Sequence, residues 1–227
     1  MRIAILTGLD GLNNAALKDP KVSFASESVS YFAFVSKKHD VKIWNQVLLH
    51  KFSSIDSYSD RRNAKLPKML GFLLAPGYDY YIWHDYINEV AIEPKVFIKE
   101  FLIDSEVALF EHRHRNCSYD EISKLIEWKL DDKETLLRTD QFLRASSFPA
   151  KKGLYALGAF AYKNTPKIQN LLLSWWEMNC KYSSRDQTTF PYILWKHGVT
   201  PKIIPGDSGK YAGSNNIYFP QVRDKFS

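Results

Sequence analysis

Cysteine is scarce in this 227-residue chain: only Cys117 and Cys180 occur, far apart and without metal-site spacing. That supplies no disulfide framework and no cysteine metal centre, and a reducing compartment is the natural expectation. Long apolar runs are missing too. None approaches the roughly 20 residues that span a bilayer. The chain opens directly into strand-like Arg2 to Leu6, without the apolar region and cleavage site of a secretory signal. A cytoplasmic protein is expected, able to work at a membrane surface. No Walker-type phosphate loop is present, which disfavours ordinary kinases and nucleotidases. Low-complexity tracts and internal repeats are absent. Charge of one sign is only in modest excess, with 31 basic against 25 acidic residues, a formal +6. Basic residues group at Arg61, Arg62, Lys65 and Lys68, and again at Arg138, Arg144, Lys151 and Lys152. The balance suits an anionic ligand, but neither group is dense enough to make nucleic acid the expected partner.

What the chain does have is apolar and aromatic bulk. Hydrophobic residues make up 45% and aromatics 15%, enough for a substantial core, and the length suits one large domain or two small ones. Arg2 to Leu6 reads as a buried strand whose continuation, Thr7-Gly8, faces a ligand. Strands are expected at 31–35 and 41–44, a helix over 62–74 with Pro67 in its first turn, and a strand over 78–85. The helix between strands is the pattern of a parallel sheet. Glu93-Pro94 reads as a helix start, 107–110 as a strand, and Ser118 with Glu121 as a capping box. A helix over 133–144 and a strand or hairpin over 153–162 follow. Thr165-Pro166 opens a further helix. Ser184 with Gln187 reads as another capping box, on a helix that Gly198 ends. Lys202 to Ile204 makes a last strand, before a tail that is either an active-site loop or a frayed end.

The aromatic stretch Tyr78-Asp79-Tyr80-Tyr81-Ile82-Trp83-His84-Asp85 organises the reading. A carboxylate at the carboxyl end of a parallel strand stands where open α/β sheets bind ligands. Asp85 could hold Mg²⁺ or Mn²⁺, whose shells are completed by water and phosphate oxygens. His84 points to the opposite face if the segment is extended. Asp186 falls in the first turn of a helix, where the dipole favours its ionised form. His112, Arg113, His114 and Arg115 form a polar cluster after a strand. Alternation would put the histidines on one face and the arginines on the other. Trp175 and Trp176 offer an aromatic surface for a sugar, although their helical spacing is that of core residues. Cys117 reads as structural.

Several fragments, in order, carry a resemblance. They are Lys65-Leu66-Pro67, Tyr78 through Asp85, Ala108 through Tyr119, Gly153-Leu154-Tyr155, Trp175-Trp176-Glu177, Ser184-Arg185-Asp186-Gln187 and Phe190-Pro191. Together, over residues 61–198, they resemble the TOD1/MUCI70-like glycosyltransferase family. The resemblance implies an α/β, GT-A-like fold: a mixed, mostly parallel central sheet flanked by helices. It implies one catalytic domain over 1–227, with 1–110 mainly binding the nucleotide-sugar and 111–227 mainly binding the acceptor. It implies transfer of a sugar from a nucleotide-sugar, UDP-sugar first, to a hydroxyl of a glycan or glycoconjugate. On this basis Thr7, Gly8, Arg61, Lys65, Asp85, His112, Arg113 and Arg115 are donor-side residues, and Asp85 is the metal ligand for Mn²⁺ or Mg²⁺. Asp186 is the catalytic residue, a general base if the reaction inverts or a sugar-orienting group if it retains, with inversion favoured. The chain departs from the Asp-x-Asp pattern, because Trp83 or Ile87 stands where a second acid belongs. Asn88 and Glu89 could compensate if the loop turns back. The competing readings are a nucleotide-sugar hydrolase and a non-catalytic carbohydrate-binding domain.

Overall fold

A computed structural model describes residues 1–9, 16–50, 59–206 and 216–222. The expected loop at 53–59 and the parts of the tail at 207–215 and 223–227 lie outside the described residues, apart from Ser59 itself.

Among these described residues seven strands form one sheet: β1 (Ile3–Leu9), β2 (Val29–Val35), β3 (Asn45–Leu48), β4 (Tyr80–His84), β5 (Val107–Glu111), β6 (Tyr155–Lys163) and β7 (Lys202–Ile203). Their spatial order is β3-β2-β1-β4-β6-β5-β7. The pairs β1–β2, β2–β3, β1–β4 and β5–β7 are parallel, while β6 runs antiparallel to both β4 and β5. The sheet is therefore mixed and mostly parallel. From β1 the chain steps outward to β2 and β3, then returns through α1 (Ser59–Leu74) to β4 on the other side of β1. That reversal makes the carboxyl ends of β1 and β4 the topological switch point, where a crevice opens in sheets of this kind.

Alternation along the strands fills two cores. Ala4, Leu6, Tyr81, Trp83, Leu109 and Phe160 point to one face, with Met69 and Phe72 of α1, Ile122 of α3 (Ser118–Glu127), Leu143 of α4 (Lys133–Ala145), Trp175 of α5 (Pro166–Lys181) and Phe190 of α6 (Asp186–Lys196). Ile3, Ile5, Ile82, Ala108 and Phe110 point to the other, against Phe97, Ile98 and Phe101 of α2 (Pro94–Phe101). A strand buried on both faces reads as a continuous apolar run, which is why β1 was recognisable.

Several expectations shift for physical reasons. β3 begins at Asn45, not at Val41. The amides of Lys42 and Ile43 are taken by the Asp19 carboxylate at 2.8 and 2.9 Å, so they cannot join a ladder. Pro67 lies inside α1 rather than in its first turn, and the helix is interrupted at Leu70 (φ −111°, ψ 21°). Neither capping box forms. Cys117 is the N-cap of α3, Ser118 Oγ is buried without a partner, and Glu121 pairs with Arg115. Arg185 is the N-cap of α6, and Ser184 and Gln187 are engaged elsewhere. The segment 153–162 gives one strand, β6, and no hairpin. The starts of α2 and α5 form as read: Glu93 accepts from Val96 N, and Thr165 from Ile168 N.

The described part of the tail is not frayed. Ala91 N donates to Tyr218 O, Glu89 N to Pro220 O, and Val222 N to Ile87 O. Tyr218 and Phe219 are buried against Phe97. The strap 216–222 thus fastens the loop that follows Asp85. Replacing Phe219, which is fully buried against Phe97 and Phe110, with alanine should cost about 3–5 kcal/mol. Denaturant unfolding of Phe219→Ala beside the parent measures it.

Candidate functional site

Arg61, Lys65 and Lys68 stand at i, i+4 and i+7 on α1, so they share one face. That face meets the turn between α5 and α6. Lys65 Nζ and Lys68 Nζ each donate to Asp186 Oδ2 at 2.7 Å. Lys68 Nζ also lies 3.8 Å from Asp85 Oδ1. A single ammonium, only 2% exposed, therefore joins the carboxylate after β4 to the carboxylate at the start of α6.

The charge states follow from this packing. Burial alone would raise the Asp186 carboxyl, but the ammonium groups of Lys65 and Lys68 outweigh it and hold the group well below the usual carboxylate range. Burial pulls Lys68 down, yet Asp186 and Asp85 overcome it and its pKa ends above the ordinary lysine value. For Lys65 burial prevails over Asp186, and its pKa is lowered.

Asp85 is oriented from its own strand. Trp83 lies two residues back on the same face and donates its indole N–H to Asp85 Oδ1 at 3.1 Å. The indole lies over Gly8: a Cβ there would stand 3.1 Å from the ring and 3.5 Å from Pro67. Thr7 is buried and donates to His84 O at 2.9 Å, tying the ends of β1 and β4 together. Thr7 and Gly8 are thus strand residues of β1, which runs on to Leu9 instead of ending in a loop at Thr7. His84 turns to the opposite face, with its ring 5.9 Å from Trp44, as alternation requires.

The loop after Asp85 does turn back. Asn88 N donates to Asp85 O at 2.9 Å, and Asn88 Oδ1 is buried without a hydrogen-bond partner. Glu89 reaches the Lys21 amide. Among the described residues no three His, Cys, Asp or Glu side chains gather as a metal site. The Asp85 side chain is 45% exposed. One such carboxylate fits Mg²⁺ or Mn²⁺ where diphosphate oxygens and water complete the shell.

Behind Asp186 sits a residue that pattern reading did not single out. Asp131 Oδ2 accepts from Ser183 Oγ, Ser184 N and Ser184 Oγ at 2.6–3.1 Å. Arg61 reaches Leu130 O and Ser184 Oγ. Arg185 also donates to Leu130 O. Arg61 is thereby a brace of the turn beside Asp186. Gln187 donates to Tyr155 O at 3.0 Å, which binds the start of α6 to β6.

The 112–115 segment is a turn rather than an extension of β5. His112 Nδ1 accepts from the amides of His114 and Arg115 at 3.3 and 3.1 Å. The other ring nitrogen then carries the proton of the neutral imidazole. Burial, with Arg115 and His114 nearby, lowers the His112 pKa against the pull of Glu121. Arg115 pairs with Glu121 at 2.5 Å and stacks 5.4 Å from the Trp128 ring centre, while Arg113 is exposed. These residues follow β5 at the same sheet edge as Asp85, though no contact of theirs with Asp85 or Asp186 is seen among the described residues. Trp175 is fully buried, with its indole 3.3 Å from Asp186 O, and Trp176 packs on the core.

Residues 25–204 match the model of the TOD1/MUCI70 glycosyltransferase-like domain. The chain belongs to the TOD1/MUCI70 family. A relative from Arabidopsis thaliana, named as the probable hexosyltransferase MUCI70, is 24% identical over 199 residues. The match covers 75% of this chain and 33% of that protein, so the chain spans about a third of its curated relative. Among solved structures, the WbbM bifunctional glycosyltransferase aligns with a TM-score of 0.49 and 10% identity, over 90% of this chain and 39% of that one. Mouse xyloside xylosyltransferase 1 aligns with a TM-score of 0.44 and 12% identity, over 89% and 84%. At those scores the family match, not the structural likeness, bears on function. The matched TOD1/MUCI70 region contains Lys65, Lys68, Asp85, Asp131 and Asp186.

Asp186 has a lowered folded pKa, so its contribution to stability is present above the ordinary carboxylate range and is lost as pH falls below it. Unfolding free energies measured from neutral pH down to about pH 3 should therefore decline less steeply in Asp186→Asn than in the parent. Lys68→Met should cost about 3–5 kcal/mol at neutral pH, because it leaves buried Asp186 with one partner fewer.

Proposed function

We propose that the chain is a nucleotide-sugar-dependent glycosyltransferase that moves a sugar to a hydroxyl of a glycan or glycoconjugate. The observation that carries this is the Asp85–Lys68–Asp186 linkage at the switch point of the sheet, inside a chain of the TOD1/MUCI70 family. The crevice outside β1 and β4 would receive the nucleotide-sugar, with a UDP-sugar as the first donor to try.

Asp85 would hold Mn²⁺ or Mg²⁺ against the diphosphate. The ion would supply positive charge to the leaving group as the glycosidic bond to phosphate breaks. Trp83 holds one oxygen of Asp85, so the carboxylate is pre-aimed. Lys65, more exposed than Lys68, is the cation nearest to hand for an anionic donor. Lys68 keeps the two carboxylates from repelling each other.

Asp186 has two expected roles, and its surroundings favour one. A general base works best with a pKa near the working pH. A carboxylate fixed by two ammonium groups is a weak proton acceptor but a strong hydrogen-bond acceptor. We therefore assign Asp186 to binding hydroxyls of the donor sugar. The preference for inversion rested on Asp186 as the base and loses that support.

The test separates binding from transfer. Asp186→Asn should weaken binding of an intact UDP-sugar about tenfold (about 1.4 kcal/mol) while leaving UDP affinity near the parent's. Equal sugar-nucleotide affinity with transfer abolished would return Asp186 to the role of base. Asp85→Ala should abolish any strengthening of UDP binding by Mn²⁺ in calorimetry. An unchanged Mn²⁺ response would remove Asp85 from the metal site. Rapid release of free sugar without an acceptor would identify a hydrolase instead.

A further inference from the structure

The Asp186 carboxylate is gripped at its tip by Lys65 and Lys68, but the backbone that carries it is held by another part of the chain. Among the described residues Arg185, the N-cap of α6, makes no capping bond from its side chain. The Asp186 carboxylate is turned to the two lysines rather than to the orphan amides of its own helix. No local cap therefore fixes the direction in which α6 sets out. The turn between α3 and α4 does.

That turn is stiff on both sides. α3 ends with Lys129 in the left-handed region (φ 52°), with Lys129 N donating to Ile126 O at 3.1 Å and Leu130 N to Leu125 O at 2.9 Å. Asp132 then caps α4 by accepting from Thr135 N at 2.7 Å. Asp131 stands between this helix stop and this helix start, with its side chain only 1% exposed. Opposite it, Ser183 and Ser184 are fully buried, and three of their donors converge on Asp131 Oδ2. Ser183 Oγ in turn accepts from Arg185 N at 3.1 Å, and Ser183 N donates to Thr139 Oγ1 of α4 at 3.2 Å. Buried bonds thus run from Asp131 through Ser183 to the amide of the residue before Asp186. The other oxygen, Asp131 Oδ1, lies 3.8 Å from Arg61, on the same helix as Lys65 and Lys68. One anchor therefore sets the place of the Asp186 carboxylate and of its two ammonium partners.

We infer that Asp131 is a positioning residue for sugar transfer: it stays clear of the substrate and holds Asp186 where the hydroxyls of the donor sugar are bound. This rests on the reading of Asp186 as the group that binds those hydroxyls. A buried carboxylate that served stability alone would leave the nucleotide and sugar parts of binding equally affected. A positioning carboxylate alters the sugar part, and only while Asp186 is there to be placed. Groups that bind a reacting sugar need such support, because a small displacement of the side chain forfeits the contact.

The test is a double-variant cycle read by calorimetry on the whole chain with Mn²⁺ present. The probes are UDP and the UDP-hexose, from a panel, that the parent binds most tightly. Asp131→Asn keeps the size of the side chain and one acceptor, and should weaken UDP-hexose binding about threefold to fivefold with UDP affinity near the parent's. Asp131→Asn combined with Asp186→Asn should lose about tenfold, no more than Asp186→Asn alone, because the two residues act through one contact. Ser184→Ala, which removes one donor to Asp131 and keeps the rest, should show a smaller loss with the same selectivity, and it answers the question if Asp131→Asn does not fold. Ile168→Val, a core change in α5 that lowers the unfolding midpoint, should leave both affinities at the parent's. Parent-like UDP-hexose binding by Asp131→Asn and Ser184→Ala, equal losses for UDP and UDP-hexose, losses that multiply in the double variant, or the same loss in Ile168→Val would each overturn the inference. The glycosyltransferase reading fails separately: a parent chain that binds no UDP, with or without Mn²⁺, overturns that reading and this inference with it.

Discussion

A buried ammonium is the constraint on which the site depends. Lys68 is almost wholly removed from water and survives there as a cation because Asp186 touches it and Asp85 lies within reach. Desolvating a charge is costly unless it is paired, and breaking such a pair leaves the remaining charge stranded. The interaction fixes three elements at once: α1, the end of β4 and the start of α6. It also sets the chemistry, since Asp186 stays ionised because Lys65 and Lys68 face it.

The elements around that contact serve to keep it in place. Asp131 gathers Ser183 and Ser184, so the turn entering α6 is held from behind. Gln187 ties the same helix to β6. Trp83, lying over Gly8, aims Asp85. The strap 216–222 fastens the loop that follows it. Rigid placement of charged groups at a sheet edge is what a transfer reaction needs, because the groups must not reorganise as charge moves.

The Asp-x-Asp departure has a structural counterpart. Where a first acid would stand, Trp83 supplies an N–H donor to Asp85. A second carboxylate two residues back would repel Asp85, whereas the indole binds it. The site thus keeps one half-exposed carboxylate, with the Lys68 ammonium 3.8 Å away in place of a partner acid.

Much of the fold was legible in the residues. Buried strands such as β1 and β4 show as apolar and aromatic runs, and Thr165-Pro166 and Glu93-Pro94 mark helix starts through local geometry that needs no tertiary partner. The family, too, could be read from ordered motifs. Failures came where a local signal met a distant competitor: Asp19 took the amides expected to pair in a strand at 41–44, Arg115 took Glu121 from its capping box, and Asp131 took Ser184. The stretch ending at Asp85 and the helix starting at Asp186 were each visible by themselves. Their joining through Lys68 was decided only by the tertiary structure, because a lysine in a basic helix reads as solvated until the fold removes the water around it.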